Sequence, residues 1–262
     1  MGRLIVPQTR RSGLRNHLTT GSPQCGPAAT LVEVQLRRPE LTVAAIVLAP
    51  DALAALSDVD GEPAIRRVVH AAWSGGALPI VIVAEDTDGK LAETLAGLPV
   101  TVTTPGADVP RGIAWFVHGQ RAALATVTET TAGLLWPFRY AWVDPETVTS
   151  LVEAHGATPS EIVRPAWGAQ PGFPILVPAV FIDRLAARIA LHGGEAVDAL
   201  VAEGAPLREL ELGDPGIIYD ISTPRSTLPG YQGPAHPAAG PPPEWNAELA
   251  ARAQQPVETA DQ

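Results

Sequence analysis

Between residues 41 and 223, short apolar runs alternate with helical patterns, and this alternation restricts the fold more than any other feature of the chain. The runs are Val43–Ala49, Pro79–Ala84, Val100–Thr104, Gly133–Phe138, Glu161–Pro165, Ile175–Val177, Leu207–Leu212 and Gly216–Ile221. Several, "VAAIVLA" above all, are continuously apolar, as strands buried on both faces must be. Between them, Ala64–Ser74 puts Ile65, Val68, Val69 and Ala72 on one helical face. Further helical patterns cover Lys90–Leu98, Arg111–Val127, Ala179–Leu191 and Glu195–Ala202. "DPETVTSLVEAHG" predicts a helix from Pro145, with Asp144 as N-cap, proline at the first helical position and Gly156 as terminator. Strands spaced by helices imply βαβ units. The predicted fold is therefore α/β, doubly wound, with a mainly parallel sheet covered by helices on both faces.

The flanks have a different composition. Residues 1–40 carry Gly, Pro, Ser, Thr and Arg without a sustained period, so they are predicted to be a disordered basic leader. A targeting arm, a flexible tail and a start codon placed too early are the alternatives for it. Residues 224–262 hold eight prolines, including "GPPP", and read as a Pro/Gly-rich flexible tail with one short helix over Glu244–Ala253. The domain reading is thus 1–40, 41–223 and 224–262. Of 262 residues only Cys25 is a cysteine, which leaves no disulfide framework and no cysteine metal site. No apolar run approaches the roughly 20 residues needed to cross a bilayer. A soluble cytoplasmic protein with no membrane partner is the expectation.

Charge narrows the partners. The net charge is −10, which disfavours nucleic acid. Residues 1–32 hold four arginines and no acid, so the remainder carries −14 and a single lysine, Lys90.

In an open α/β sheet, ligands sit beyond the carboxyl ends of the strands. The loops after Ala49, Ala84, Thr104, Phe138 and Ile221 are therefore the candidates. The first reads "PDALAALSD" and offers backbone N–H groups and Ser57, without glycine or cation. The fourth begins with Arg139 and Tyr140. In "GIIYDISTPRS", Asp220 and Ser222 are two apart on a predicted strand, so their side chains would share a face. The acidic run "AEDTDG" could bind a cation but reads more readily as a solvated turn, and "GADVPRG" is too generic for a phosphate cradle. Trp115, Trp136, Trp142 and Trp167 are read as core or interface residues rather than a ligand cage, although their bulk could fill a cleft. His70, His118, His155 and His192 have no metal-ligand spacing and are read as surface or capping residues. Ser57 and Ser222 lack nucleophile-elbow partners, which argues against hydrolase chemistry.

The ordered segments resemble the molybdenum-cofactor nucleotidyltransferases, the MobA/MocA-like NTP transferase family with its nucleotide-diphospho-sugar-transferase, Rossmann-like fold. Members run from a strand into L-A-A-G-x-S-x-R-M-G and then a "DGxPLLRRVV"-like helix. Here "AAIVLA" and "DGEPAIRRVVHAAWSGGALPIVIV" match on either side of that loop. "WFVHGQRAAL" stands where members show a Ser-Leu helix, and "RYAWVDPET" where they show Asp-x-Pro followed by "xVxPET". "RPAWGAQPGFPILVPAVFIDRL" is similar to their Gly-His-Pro region, and "DISTP" to Asp-Ile-Asp-Thr-Pro.

Active members, the resemblance implies, bind CTP or GTP and transfer the nucleotide to the phosphate of molybdopterin. Their glycine-rich basic loop holds the triphosphate, and two carboxylate positions hold Mg²⁺. Carried onto this sequence, the loop glycine falls at Pro50, and the loop arginine and lysine are absent. The magnesium aspartate falls at Arg139, the Ser-Leu serine at Trp115, the Gly-His-Pro histidine at Phe173, and the second acidic metal position at Ser222, with Asp220 beside it. A guanidinium has no acceptor and cannot ligate Mg²⁺. Arg139 either stands in for the metal and pairs with Asp220, or is an ordinary solvated side chain.

The resemblance therefore implies a catalytically degenerate paralogue acting as a binding or assembly protein, in molybdenum-cofactor metabolism. Its partner would be a nucleotide, a molybdopterin-like small molecule or a molybdoenzyme, and no cofactor is assigned. The candidate positions are Ala49, Pro50, Asp51, Ser57 and Trp115 for nucleotide, Asp220 and Arg139 for catalysis, and Asp220 and Ser222 for metal. The alternative is an active Mg²⁺-dependent transferase with displaced ligands. There Asp220, Asp144 and Asp51 would replace the carboxylates, and Arg111 or Arg121 the cations. A small-molecule binder that reuses the cleft is the third reading.

Overall fold

The computed structural model describes residues 41–233, which fall in the second of two units, Pro39–Gln262. The predicted leader and the predicted helix over Glu244–Ala253 lie outside the described residues.

The central strand is β1, Thr42–Ala49, whose residues from Val43 onward are all buried. It pairs in parallel with β4, Ile80–Ala84, on one side and with β6, Thr130–Pro137, on the other. β5, Val100–Thr103, adds in parallel outside β4. Beyond β6 the sheet turns mixed. β9, Ile175–Pro178, runs antiparallel to β6, and β7, Ile162–Trp167, antiparallel to β9. β10, Leu207–Glu211, closes that edge parallel to β7. The order is β10-β7-β9-β6-β1-β4-β5, with the short β8, Gln170–Pro171, hanging on β7. A hairpin of β2, Asp58–Val59, and β3, Glu62–Pro63, stands apart.

One sheet face carries α2, Ala64–Ser74, and α5, Pro145–Ala157, over a core that includes Ile65, Val68, Trp136 and Leu151. The other carries α4, Ile113–Thr126, with the short α6, Ile182–Ala186, and α7, Gly193–Ala202, over Ile46, Val81, Phe116 and Leu135. α4 approaches β1 so closely that a Cβ on Gly119 would fall 2.4 Å from Ile46 Cγ2. The predicted doubly wound sheet is present, with helices on both faces.

Several boundaries differ from the sequence reading. Gly216–Ile221 is not a strand. It opens as a 3₁₀ turn, Pro215–Ile217, capped by Asp214, and continues as turns. The apolar residues there pack one way because Asp214 and Pro215 fix the chain in a tight turn, not because it pairs with a strand. Ala179–Leu191 divides into a 3₁₀ turn, Ala179–Phe181, the single-turn α6 and a loop. Lys90–Leu98 shortens to α3, Lys90–Thr94, since Gly97 at φ +84° and Pro99 oppose continuation. Gly156 lies inside α5 rather than ending it. Asp144 does cap α5, accepting a hydrogen bond from Glu146 N at 3.0 Å.

The chain also forms a helix where none was expected. α1, Ala52–Ala55, follows β1 directly, with Asp51 Oδ1 accepting from Ala54 N at 3.0 Å. Among the described residues, no helix is long and apolar enough to cross a membrane.

Candidate functional site

The carboxyl ends of β1, β4, β5 and β6 lie along one edge of the sheet, and the segments leaving them enclose adjoining clefts. Between β1 and β4 lies a cleft of about 510 Å³, lined by Asp51, Glu85, Asp88, Lys90 and Arg111 among others. Its cations are already paired. Arg111 Nη2 donates to Glu85 Oε2 at 2.6 Å, and Lys90 Nζ lies 2.7 Å from Asp88 Oδ2. The Glu85 hydrogen bond holds the Arg111 guanidinium above its ordinary pKa. With Asp51 added, carboxylates outnumber cations here, so the local field opposes a polyphosphate.

The loop after β1 spends its later N–H groups on itself. Pro50 has no N–H to give. The N–H groups of Ala54, Ala55, Leu56 and Ser57 are spent inside α1 and its caps, and Ser57 Oγ donates to Ala54 O at 2.7 Å. Ala49 is fully buried. Of the five positions carried over for nucleotide, only Asp51 brings a charge to the cleft, and that charge is negative.

The second cleft lies between β1 and β6 and measures about 410 Å³. Its walls are mostly apolar and aromatic, with Trp115, Phe138, Tyr140 and Phe173 prominent. The Tyr140 and Phe173 rings pack with centroids 4.9 Å apart. Trp115 is 1 % exposed and donates its indole N–H to Val109 O at 3.4 Å, so it serves both core and cavity wall. Trp136 is fully buried, as its core reading requires, and Trp142 and Trp167 are half-buried.

Arg139 stands at the exit of β6, at the mouth of this cavity. Its Nε and Nη2 donate to Asp220 Oδ2 at 3.0 and 2.8 Å, across 81 residues of chain. The other carboxylate oxygen, Oδ1, accepts from Ser222 N at 2.9 Å and from the Ser222 hydroxyl. Asp220 and Ser222 thus meet through a turn, not by sharing a strand face. Backbone bonds hold the turn in place: Ile221 N donates to Arg139 O at 2.9 Å, and the Trp142 indole N–H lies between Asp220 O and Thr223 O. Burial alone would raise the Asp220 pKa, but Ser222 and Arg139 outweigh it and hold the carboxyl below its ordinary value.

A group with a depressed folded-state pKa contributes stability above the unfolded value and loses it as pH falls through the folded one. Asp220→Asn should therefore cost about 1 kcal/mol at neutral pH, since Arg139 is 49 % exposed and the pair is well solvated. The difference from the parent should close as pH falls through the lowered folded-state pKa of Asp220, as urea unfolding at several pH values would reveal. A cost independent of pH would show that the charge plays no part.

Mg²⁺, implied by the resemblance, does not fit these residues. A guanidinium occupies one proposed ligand position, and both oxygens of Asp220 accept hydrogen bonds from other groups. Among the described residues, no set of three or more His, Cys, Asp or Glu side chains could hold a metal ion. The substitute carboxylates are spent too: Asp51 caps α1, and Asp144 caps α5. Arg121 is exposed on α4, about 12 Å of helix beyond its first residue, Ile113, and does not line either cleft. In "AEDTDG", Asp86 accepts from Leu91 N and Ala92 N at the start of α3, while Asp88 faces Lys90.

The histidines serve structure. His155 is fully buried, contrary to its surface reading, because α5 turns that face onto the sheet, where Nε2 meets Thr131 Oγ1 at 3.0 Å. His118 Nε2 meets Thr103 Oγ1 at 2.9 Å, and His70 Nδ1 lies 3.0 Å from Glu62 Oε1. His192 precedes α7 beside the apolar cavity. Sequence reasoning placed Tyr140 only in the candidate loop after Phe138 and missed Gly193 and Gly194 as cavity residues. The Gly-Gly pair opening a helix was the available signal.

A MobA-like NTP transferase domain model matches residues 54–206. The chain belongs to this family. The match begins inside α1, beyond β1 and Pro50. Among curated proteins none matches the chain. Solved structures share the fold of this MobA-like domain. Rv0371c of Mycobacterium tuberculosis, crystallised with manganese, is 22% identical at a TM-score of 0.52, over 66% of this chain and 88% of its own. A nucleotidyl transferase from Methanothermobacter is 21% identical at 0.55, over 69% and 93%. The 4-diphosphocytidyl-2C-methyl-D-erythritol synthase of Anaerococcus prevotii is 11% identical at 0.54, over 71% and 92%.

Proposed function

We propose that this MobA-like protein has given up metal-dependent nucleotidyl transfer and acts as a binding or assembly protein. The observation that carries this reading is the Arg139–Asp220 pair. Nucleotidyl transfer needs cations that neutralise charge on the phosphate oxygens. Here Arg139, the cation at the β6 exit, is fixed to a carboxylate proposed to ligate metal. The self-bonded loop after β1 and the paired cations beside β4 support the same reading. Family likeness is the support for a setting in molybdenum-cofactor metabolism, in the cytoplasm, with a small molecule or a molybdoenzyme as partner.

The test is pyrophosphate release from CTP or GTP by the purified protein with Mg²⁺, in the presence and absence of molybdopterin. The expected rate equals that of buffer. Release above buffer that disappears in Asp220→Ala would replace this reading with an active transferase using displaced ligands.

A further inference from the structure

The cavity between β1 and β6 has its own chemistry, and it is not that of a nucleotide site. We infer that it binds a planar aromatic molecule carrying a single carboxylate, held by apolar walls and oriented by Arg111 and Arg139. This rests on the reading above, because a metal-bound triphosphate at the same edge would compete for both arginines.

Size comes first. About 410 Å³ falls in the range of small-ligand cavities, at the lower end suited to one bicyclic ring system. The lining supplies ring faces and few polar groups. Trp115 and Phe138 are buried core residues whose surfaces form the floor, and Tyr140 lies against Phe173 on one wall. Gly193 and Gly194 form part of the lining, and α7 begins there. A Cβ on Gly194 would meet nothing closer than Phe173 Cζ at 3.8 Å, so a flat ligand can lie against bare backbone. Apolar walls of this kind reward desolvation of a ring and penalise a ribose-triphosphate.

Charge then selects the anion. Arg111 and Arg139 both line the cavity; Arg139 already faces Asp220, and Arg111 faces Glu85 with Asp51 nearby. Arg111 commits one Nη2 proton to Glu85, and its remaining donors have no partner among the described residues. A mouth so neutralised has no surplus positive charge, so it takes a carboxylate only through the guanidinium donors that these pairs leave open. It is poorly suited to the two charges of a phosphate monoester. The first turns of α4 and α7 also border the cavity, and Gly112, the N-cap of α4, offers no side-chain hydrogen bond. The partial positive charge at the start of α4 favours an anion there, whereas Glu195 already meets that of α7.

Calorimetric titration of the full chain with 2-naphthoate, 2-naphthamide and 2-naphthyl phosphate tests the inference. Naphthoate should bind at one site per chain. The neutral amide and the dianionic phosphate should each bind at least about tenfold more weakly. Arg111→Met should weaken naphthoate by about tenfold. Gly194→Leu should abolish binding by filling the cavity while the thermal unfolding midpoint is retained. Absence of saturable naphthoate binding, equal binding of the amide, or undiminished binding by Gly194→Leu would overturn the inference. Displacement of naphthoate by Mg·CTP at comparable concentration would overturn it in favour of a nucleotide. Failure here with no pyrophosphate release leaves the loss of transfer standing. Pyrophosphate release alongside amide-discriminating naphthoate binding refutes the loss of transfer and retains the carboxylate site.

Discussion

Asp214→Ala is expected to unfold in urea about 4 kcal/mol more readily than the parent protein. Asp214 is 2 % exposed and holds three donors from two segments. Its Oδ2 accepts from Asp144 N at 2.8 Å and Thr147 Oγ1 at 2.7 Å, and its Oδ1 from Gly216 N at 2.8 Å. Truncation leaves all three donors without that acceptor in a packed interior, each at a desolvation cost of about 1–3 kcal/mol before relaxation. The segment cannot easily relax: a Cβ on Gly216 would lie 2.2 Å from Trp142 O, and one on Gly172 would lie 2.4 Å from Ile217 O. This seat delivers Asp220 to Arg139, so the variant should also lose the pH dependence assigned to that pair.

The pH behaviour of Asp214 itself has the opposite sign. Burial raises its pKa, against the hydrogen bonds from Asp144, Thr147 and Gly216. A raised folded-state value means that the contribution is complete below the unfolded pKa and declines as pH rises through the folded one. The Asp214→Ala penalty should therefore shrink from acid toward neutral pH. A penalty that grows over that interval would show that the ionised carboxylate is the favoured folded form.

Arg139→Asp should create what the parent lacks, a response to divalent metal. The parent protein is expected to show no change in thermal stability with Mn²⁺. In the variant, two carboxylates would face each other without an intervening cation, and like charges at that range destabilise the fold and raise one of the two pKa values. Mn²⁺ removes that repulsion. At a hundred times its Kd it stabilises the folded form by about 2.7 kcal/mol. Thermal unfolding of parent and variant across a Mn²⁺ titration makes the comparison. Equal responses would show that the guanidinium does not decide metal binding at this edge.

The parts of this fold that were legible in the sequence are those governed by local pattern. The unbroken apolar run Val43–Ala49 specified a central strand, because only a strand covered on both faces tolerates such a run. Asp144 and Pro145 announced α5, because capping and fixed φ act within one turn. For the site, the sequence offered only an expectation drawn from resemblance, that Pro50, Trp115, Arg139, Phe173 and Ser222 stand at family positions because the matching segments keep their order. The segment Gly216–Ile221 misled for the converse reason. Its apolar residues satisfy a strand pattern, but Asp214 reaches back 70 residues to Asp144 and bends the chain into a turn.

The sequence by itself determined an alternating α/β chain and its central strands. Only the tertiary structure decided that β9 runs antiparallel beside β6, that Arg139 grips Asp220, and that Trp115, Tyr140 and Phe173 surround one cavity. Periodicity and capping arise from neighbours a few residues apart, whereas these three outcomes depend on which distant surfaces pack together, and no local pattern encodes that choice.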